Sequence, residues 1–416
     1  MKVLHIAAGG LSGGAARGAY WLHKAQREIG LDSKMLLGGD GDHADPSIIS
    51  LSDSFFQRLK LRLALRLDAL LTRFYTKRMR RIFSTGFAGA DFTRRKEFKE
   101  ADVIHLHWIT GVVSMRALSK IKKPIVWTLR DMWPLTGGCH YAMGCERYES
   151  GCGKCPQLGS QSLYDLSRLV LTKKRGCLPK KLKLVGISEW LSECARTSSI
   201  FNGLAIQTIS NNVDTAGFFP EPKDDARRAL KLPLNRKIVL IGAHQLDDFY
   251  KGFDLFLQAL DRLDTQDLLL VLFGRTEGGM LEKIGHPYVD LGFVSETETL
   301  RMAYSAADVF AAPSRMDAFG KTLAESMACG TPVVCFDATG PRDVVAHLET
   351  GYRAKPFDPS DFAAGIRWVL GRSPSESESL RYAARQRVMK NFDAAVIARQ
   401  YEILYREMVS QEEGYE

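Results

Sequence analysis

Residues 313–334 read PSRMDAFGKTLAESMACGTPVV, and their pattern of apolar and turn residues predicts one supersecondary unit. An apolar run up to Ala312 predicts a strand. The turn around Asp317 and Gly320 leads into a helix from about Lys321, and a β-branched strand follows Gly-Thr-Pro. Units of this kind build open α/β sheets, which bind ligands at the carboxyl ends of their strands. The first amides of the helix would face such a ligand.

Two acidic residues flank this turn: Asp317 lies in the loop, and Glu325 lies inside the predicted helix. Carboxylates in these places can accept hydrogen bonds from the hydroxyl groups of a sugar or a ribose. Asp317 can equally cap the helix, because Asp is favoured at helix starts. The pattern by itself leaves both interpretations open.

The stretch resembles the signature of retaining GT-B glycosyltransferases of glycosyltransferase family 4, in which an E-x7-E motif precedes an E-A-x-A-x-G-x-P-V-V run. Residues 325–334 match that run well, whereas Asp317 replaces the first glutamate. The resemblance implies an α/β fold of the GT-B type, with two doubly wound Rossmann-like domains facing a cleft and a C-terminal helix crossing back to the first domain. It also implies a hexosyltransferase-type enzyme that uses a nucleoside-diphosphate sugar with retention.

The chain has 416 residues, of which 45% are hydrophobic and 25% charged. This length suits two domains, and no apolar run is long enough to span a membrane. We expect an N-terminal acceptor-side domain over 1–205, a nucleotide-sugar-binding domain over 206–390 and the returning helix over 391–416. The first ten residues, MKVLHIAAGG, predict a buried strand rather than a signal peptide, so a cytoplasmic location is expected.

The first domain contains candidate donor-site residues in two loops. Gly13 and Gly14 match a Gly-Gly loop that lies beside the donor diphosphate in the resembling family, although such a loop can also serve only tight packing. His107 matches a histidine that family members often place near the donor sugar, and we expect it to be catalytic. Arg130 stands where relatives tend to have histidine. As a fixed cation it can bind an anion but cannot shuttle a proton near neutral pH.

In the second domain, Lys251 matches the lysine with which the family neutralises the donor diphosphate. Ala243 occupies the place of the family's paired arginine. Arg275, after the next predicted strand, is a candidate substitute that comes from reasoning about the sheet and not from the motif. Fixed cations and backbone amides of this kind would make a catalytic metal unnecessary.

The resemblance also assigns roles around the opening stretch. Glu325 is expected to bind the ribose, and Asp317 is expected to contact the sugar together with His107. Backbone groups at the helix start are expected to bind the donor, and the residues concerned are Phe319, Gly320, Lys321, Thr322 and Leu323.

Residues 55–83 contain nine basic residues and one acid, and so hold nearly all of the formal net charge of +9. Leucine and phenylalanine recur among them at helical spacing. The pattern is typical of an amphipathic helix on an anionic membrane surface, here the inner face of the plasma membrane. A helix packed on its own domain with a solvated basic face is the alternative. Nucleic acid is not expected as a partner, because no motif that reads or stacks bases is present.

Four cysteines, Cys139, Cys145, Cys152 and Cys155, lie within 17 residues and end in a C-x2-C pair. In a reducing compartment this fits a closed structural zinc site, with reduced buried cysteines and disulfides as alternatives. The G-C-x-x-C-P segment, following D-x-W-P, resembles a subgroup of bacterial exopolysaccharide glycosyltransferases that includes those of colanic acid assembly. A lipid-linked glycan acceptor in exopolysaccharide or lipopolysaccharide biosynthesis is therefore expected. A catalytically weakened scaffold protein and a nucleotide-sugar epimerase are the alternatives.

Overall fold

The computed structural model describes residues 1–11, 14–39, 45–51, 55–263, 267–277 and 279–413. The chain forms two compact units, Met1–Ser210 with Ile397–Glu416, and Asn211–Val396. It therefore enters the second unit once, leaves it once and finishes in the first. The chain passes between units after residues 210 and 396, whereas the sequence placed the domain boundaries after 205 and 390.

The first unit is built on a parallel sheet. Its strands are β1 (Lys2–Ala7), β2 (Asp32–Leu37), β3 (Ile48–Ser50), β4 (Val103–Leu106), β5 (Ile125–Leu129), β6 (Leu182–Gly186) and β7 (Ile206–Thr208). Among the described residues they pair in the order β3-β2-β1-β4-β5-β6-β7. The central strands are nearly continuous apolar runs, as expected for a parallel sheet that helices cover on both faces.

The helices of this unit connect successive strands. They are α1 (Gly14–Glu28), α2 (Phe55–Arg73), α3 (Lys96–Glu100), α4 (Met115–Leu118), α5 (Leu166–Arg175) and α6 (Glu189–Thr197). Capping residues define where α5 and α6 begin. The Asp165 carboxylate accepts from the Ser167 and Arg168 amides, and the Ser188 hydroxyl accepts from the Leu191 amide.

The second unit repeats the design. Its strands are β8 (Lys237–Gln245), β9 (Leu268–Arg275), β10 (Tyr288–Asp290), β11 (Val309–Ala312), β12 (Val333–Phe336) and β13 (Gly351–Ala354). Its helices are α7 (Lys223–Ala229), α8 (Phe253–Leu260), α9 (Thr297–Ala306), α10 (Lys321–Ala328), α11 (Pro341–Val344), α12 (Pro359–Leu370) and α13 (Pro374–Asn391). Within the described part of this unit the strands, all parallel, pair in the order β10-β9-β8-β11-β12-β13. The predicted pair of doubly wound domains is thereby confirmed.

The last helix, α14 (Ala394–Glu413), belongs to the first unit from Ile397 onward. Its apolar face is buried there, since Tyr401, Leu404 and Tyr405 are each at most 2% exposed. Tyr401 and Tyr405 make hydrogen bonds to β5, β4 and α1. This part of α14 thus belongs to the core of the first unit.

Helix α2 forms the first part of the basic segment, residues 55–83. Among the side chains of this segment that the structure describes, Leu63 is 50% and Leu67 is 65% exposed, and Phe74 just beyond the helix is 76% exposed. The helix also contacts its own unit, because the Asp68 carboxylate accepts from the Thr85 amide at 3.1 Å and the Phe87 amide at 3.3 Å, so both interpretations of this segment stay predictions. None of the helices in the described residues combines the length and hydropathy needed to cross a membrane.

Candidate active site

The strand order of the second sheet reverses between β8 and β11, because the chain fills one side with β9 and β10 and then continues on the other. Open α/β sheets bind ligands in the crevice at such a point. A small cavity lies there, and the residues that line it include Gly242, Ala243, Lys251, Pro313, Ser314 and Thr322. The cavity is thus lined both by Lys251 and by residues of the 313–334 stretch, which the sequence singled out.

Lys251 is held at this cavity by a turn that requires glycine. Gly252 has a φ of +67°, and a Cβ atom there would lie 2.1 Å from the carbonyl oxygen of Pro313. The turn is also tied to the loop after β11, because the Arg315 amide donates to the Tyr250 carbonyl oxygen at 2.8 Å. Backbone geometry therefore fixes the lysine against the loop that contains Asp317.

Lys251 and Asp317 form an ion pair across the cavity edge. The Lys251 ammonium donates to Asp317 Oδ2 at 2.7 Å, and the two side chains are 33% and 17% exposed. Burial disfavours the charged ammonium, but the attraction of Asp317 outweighs it, and the pKa of Lys251 is raised. Lys251 is therefore a cation at neutral pH, as a diphosphate ligand must be.

Asp317 also organises the start of α10. Its Oδ1 accepts from the Gly320 amide at 3.2 Å, and Gly320 itself has a φ of +94°, a conformation that favours glycine. The Asp317 amide donates to the Thr339 hydroxyl at 3.3 Å. Asp317 thus caps the turn, as one of the two interpretations predicted, and it also pairs with the lysine; a contact with sugar hydroxyls stays a prediction.

The residues predicted to bind a donor at the helix start differ in what they present. The Phe319 ring is 2% exposed and packs on Phe392 with ring centroids 5.3 Å apart. The Leu323 side chain is 1% exposed, and its amide donates to the Gly320 carbonyl oxygen at 3.1 Å. Thr322 lines the cavity, and Lys321 is the first residue of the helix. The amides of Gly320 and Leu323 thus donate to other groups of the protein. Of the five residues predicted at the helix start, Thr322 is the one that lines the cavity.

Glu325 lies one turn further along α10 and is 5% exposed. Tyr304 on α9 donates its hydroxyl hydrogen bond to Glu325 Oε2 at 3.0 Å. A buried carboxylate needs such a donor, because desolvation alone would disfavour its charge. A fully buried tyrosine thus orients the predicted ribose ligand, and the role of Glu325 toward a ribose stays a prediction.

Arg275 ends β9 at the same edge of the second sheet. Its guanidinium stacks over the Phe293 ring at 4.4 Å, and the edge of His244 contacts the same ring at 5.1 Å between centroids. An aromatic platform therefore supports the Arg275 guanidinium. Its side chain is exposed, so the cation stays available to an anionic ligand.

His107 lies in the first unit, and it is buried in a polar network. Its Nε2 is 2.8 Å from His5 Nδ1, and its Nδ1 is 3.2 Å from Arg130 Nη2. Burial and the nearby His105 and Arg130 charges lower its pKa well below the ordinary value. His107 is therefore a neutral imidazole with both nitrogens engaged, and a direct role toward a donor sugar stays a prediction.

The network continues to the last helix, and its hydrogen bonds define which ring nitrogen of each histidine carries the proton. His5 Nε2 contacts the Gln26 oxygen at 2.7 Å, and the Gln26 amide donates to the Tyr405 hydroxyl at 3.0 Å. That hydroxyl is 2.5 Å from His105 Nδ1. Arg130 can only donate a hydrogen bond, so His107 Nδ1 is the acceptor and the His107 proton is on Nε2. That N–H donates to His5 Nδ1, which places the His5 proton on Nε2. The Tyr405 hydroxyl accepts from Gln26 and donates to His105 Nδ1, so the His105 proton is also on Nε2. All three histidines are then Nε2–H tautomers.

The two glycines predicted to lie beside a diphosphate have separate outcomes. Gly13 lies outside the described residues. Gly14 is the first residue of α1 and is exposed, with no heavy atom within 4 Å of where a Cβ would stand. Its role in donor binding stays a prediction.

The four clustered cysteines line one small cavity of the first unit together with Phe83, Tyr148 and other residues. All four are free thiols in the structure. Burial raises the pKa of Cys139 and of Cys152 to about 12, so both are protonated in the absence of a bound cation.

Comparison with known proteins agrees with the site in the second unit. Residues 222–387 match the family described as Glycosyl transferases group 1, and this range contains Lys251, Asp317 and Glu325. A protein assigned to colanic acid biosynthesis as a glycosyl transferase, WcaC of Escherichia coli (strain K12), is 25% identical over 365 residues, which are 83% of this chain and 85% of WcaC. The protein is a glycosyltransferase.

Solved structures show the fold of this glycosyltransferase. Sucrose-phosphate synthase from Thermosynechococcus elongatus aligns with a TM-score of 0.69 at 19% identity, covering 99% of this chain and 100% of that one. Alr3699/HepE from Anabaena in complex with UDP and glucose aligns with a TM-score of 0.65 at 18% identity, covering 97% and 99%. The predicted GT-B fold is confirmed.

This chain aligns with a smaller share of a second group of sequence relatives. D-inositol 3-phosphate glycosyltransferase of Mycolicibacterium vanbaalenii is 26% identical over 323 residues, which are 70% of this glycosyltransferase and 64% of that enzyme. The chain thus spans slightly less than two thirds of that relative.

Sequence reasoning missed three partners of the predicted residues: Tyr304, Thr339 and His5. Tyr304 and Thr339 come from separate elements that reach Glu325 and Asp317 only in the folded sheet. His5 had a usable signal, because a histidine in β1 falls opposite His105 once β1 and β4 pair in parallel. Finding it required the strand order, which the sequence did not supply.

Proposed function

We propose that this glycosyltransferase transfers a sugar from a nucleoside-diphosphate donor to a hydroxyl of a lipid-linked glycan, with retention, in bacterial exopolysaccharide or lipopolysaccharide biosynthesis. The observation that carries the donor part is the cavity at the β8–β11 reversal, with Lys251 paired to Asp317 beside the first turn of α10. The exopolysaccharide pathway is supported by the similarity to WcaC. Retention rests on the resemblance of residues 313–334 to retaining enzymes.

In this proposal the chemical problem is charge. As the bond to the anomeric carbon breaks, the leaving diphosphate gains negative charge, and preorganised cations and amides stabilise it without reorganisation. Lys251 supplies the cation, and the positive end of the α10 dipole adds to it. Asp317 keeps the lysine charged and in place until the diphosphate binds. Glu325, held by Tyr304, would accept hydrogen bonds from the ribose hydroxyls.

A donor panel with mass detection tests the reaction. The protein is incubated with UDP-, GDP- and ADP-sugars and a lipid-linked acceptor extract, with and without EDTA. We expect one donor to give an extended glycan in both conditions. Release of free epimerised donor without acceptor would instead indicate an epimerase, and absence of transfer and hydrolysis with every donor would indicate a scaffold protein.

Lys251→Ala tests the assigned site with that donor. We expect turnover to fall by about 100-fold or more, because one preorganised charge contact of this kind stabilises a transition state by about 3 kcal/mol. Lys283→Ala is the matched control, since Lys283 is an exposed lysine of the same unit away from the cavity residues. Equal turnover of the two variants would reject the role of Lys251.

A further inference from the structure

The cysteine cluster lies in a segment that has little regular structure of its own. Between Thr136 and α5 the backbone turns repeatedly, and Met143, Cys152 and Lys154 all have positive φ. Few backbone hydrogen bonds of helix or sheet type are available to hold such a segment. The four thiols of Cys139, Cys145, Cys152 and Cys155 nevertheless line the same cavity.

Hydrogen bonds fix the backbone that carries these thiols. The Cys152 amide donates to the Arg147 carbonyl oxygen at 2.7 Å, and the Gly153 amide donates to the Ser167 hydroxyl at 3.0 Å. Contacts of this kind hold the cysteines of the C-x2-C pair at the cavity, as a metal site requires of its supporting residues.

A buried lysine lies near the same cysteines. Lys174 on α5 is 1% exposed, and its ammonium donates to the carbonyl oxygens of Trp133 and Thr136. Burial lowers the pKa of Lys174 to about 7, and negative charge at Cys139 and Cys152 acts in the opposite direction and favours the ammonium. Four thiolates around one Zn²⁺ leave a net charge of about −2, because each thiolate contributes one negative charge. Lys174 offsets part of that charge in a place where water cannot.

We propose that Cys139, Cys145, Cys152 and Cys155 bind one structural zinc ion through their four sulfur atoms. Tetrahedral coordination with Zn–S bonds of about 2.3 Å requires sulfur separations of about 3.8 Å. Within the described residues, the one group of three potential ligands whose atoms all lie within 4.8 Å of one another is His5, His105 and His107. The cysteine sulfurs are not among the described ligand atoms that already lie this close together, so zinc binding has to draw them toward a common centre.

The histidine group is not a competing site, because protein partners already occupy its ring nitrogens. Four protein ligands also leave no open position on the zinc ion, so it takes no part in sugar transfer. Its effect is on the fold. The Cys155 amide donates to the Asp165 carboxylate at 2.8 Å, and Lys174 contacts the segment that follows β5. The ion would thus fix the irregular segment internally, and these hydrogen bonds connect that segment to α5 and α5 to the residues after Arg130.

Elemental analysis of the full chain, purified without a metal-affinity step, tests the proposal. We expect about one zinc per chain, released by a mercurial reagent that titrates thiols. Cobalt-substituted protein should show the visible absorption of tetrahedral cobalt together with a thiolate-to-cobalt charge-transfer band. Folded, active protein that lacks metal overturns the proposal. So does a non-reducing mass that shows disulfides, or an absorption edge that shows nitrogen ligands.

A variant pair keeps the test independent of gross misfolding. Cys145→Ser should bind zinc at least tenfold more weakly in competition with a chelator, whereas Cys177→Ser should match the unchanged protein. Cys177 is a partly buried cysteine that does not line the cluster cavity. If Cys145→Ser fails to fold, chelator treatment of the unchanged protein serves instead, and it should lower the melting temperature only while the metal is withheld. Equal zinc affinity of the two variants, or a melting temperature indifferent to the chelator, overturns the assignment.

Discussion

Asp317 combines two contacts that are separable by substitution. One oxygen pairs with the Lys251 ammonium, and the other accepts from the Gly320 amide. Glutamate, the residue of the resembling family, keeps the charge and adds one methylene. The acid thus links the electrostatics of the cavity to the conformation of the loop before α10.

Asp317→Asn should lower turnover by about 10–100-fold, because the amide keeps a cap acceptor for Gly320 but no longer fixes a charged lysine, at an expected cost of about 1.5–3 kcal/mol. Asp317→Glu should stay within about tenfold of the unchanged enzyme, since its charge is retained. Steady-state kinetics with the preferred donor and thermal melting check both variants. If Asp317→Asn retains full turnover with an unchanged melting temperature, the pair has no role in catalysis.

At the level of single residues, the sequence predicted which residues lie at the cavity better than it predicted which side chains hydrogen-bond to them. Lys251 and Thr322 do line one cavity, and Asp317 pairs with Lys251 beside it, because the turn that holds Lys251 and the start of α10 follow neighbouring strands. The tyrosine behind Glu325 and the hydroxyl beneath Asp317 are separated from them by about twenty residues. Such contacts depend on how helices dock on the sheet, and periodicity contains no information about that.

Among the elements, β1, β4, β5 and α14 are joined by the buried histidine network. Burial lowers the pKa of His5 to about 3, and it also lowers the pKa values of His105 and His107. His23, between Ser33 and Ser47, has its pKa lowered by burial to about 4. All four are neutral in the folded protein near neutral pH.

Stability should therefore fall as the pH drops below about 6.5, the ordinary histidine value. The unfolded chain then binds protons that the folded chain cannot, so the stability is fully present above that pH and is lost on acidification toward the folded-state pKa values. We expect a loss of roughly 3–5 kcal/mol between pH 7.5 and pH 5.5, from urea unfolding at both values. NMR of the ring nitrogens should show Nε2–H tautomers for His5, His105 and His107 that do not titrate in this range. Titration of these rings near pH 6.5 would contradict the network.

The basic helix α2 and the residue just after it expose large apolar side chains to solvent. Leu63, Leu67 and Phe74 are half or more exposed in a segment with a large excess of positive charge. Apolar side chains of this kind can insert at the lipid boundary while arginines meet anionic headgroups. We propose that α2 docks on an anionic membrane, which would bring a lipid-linked acceptor to the enzyme.

Vesicle flotation checks the docking of α2. We expect binding to vesicles containing phosphatidylserine or phosphatidylglycerol, little binding to neutral vesicles, and loss of binding in high salt, because the headgroup attraction is screened. The triple variant Leu63→Ser, Leu67→Ser, Phe74→Ser should bind at least tenfold more weakly. A control triple variant at Leu234, Leu348 and Tyr382, which are exposed in the second unit, should bind as before. Equal flotation of the two triple variants would exclude α2 as the contact.

For the whole molecule, the notable feature is that the first unit is discontinuous in sequence. The chain passes from it after Ser210 and returns at Ile397. Within the second unit the two ends lie side by side, since the Val213 amide donates to the Phe392 carbonyl oxygen at 2.8 Å and the Ala394 amide donates to the Val213 carbonyl oxygen at 3.0 Å. The predicted returning helix agrees with this course. The contacts that bury it, however, are tyrosines whose partners lie about 300 residues earlier, beyond the reach of any local pattern.

Removal of Ile397–Glu416 should therefore unfold the first unit and spare the second. Ile397, Tyr401, Leu404 and Tyr405 are each at most 2% exposed. Burying such side chains contributes roughly 1.5–3 kcal/mol each, so losing all four costs about as much as the entire stability of a domain. His105 and Gln26 would also lose their buried hydroxyl partner, at about 1–3 kcal/mol each.

Hydrogen exchange read by mass spectrometry resolves the two units in one experiment. After the truncation, peptides from β1, β4 and β5 should exchange within seconds, whereas peptides from β8, β9 and β11 should keep their protection, because the internal contacts of the second unit lie within Asn211–Val396. A control truncation that removes only 411–416 should leave both patterns unchanged. If the first-unit strands stayed protected without α14, its buried face would not belong to that core. If the second unit lost protection as well, the two units would fold as one cooperative body rather than as separate ones.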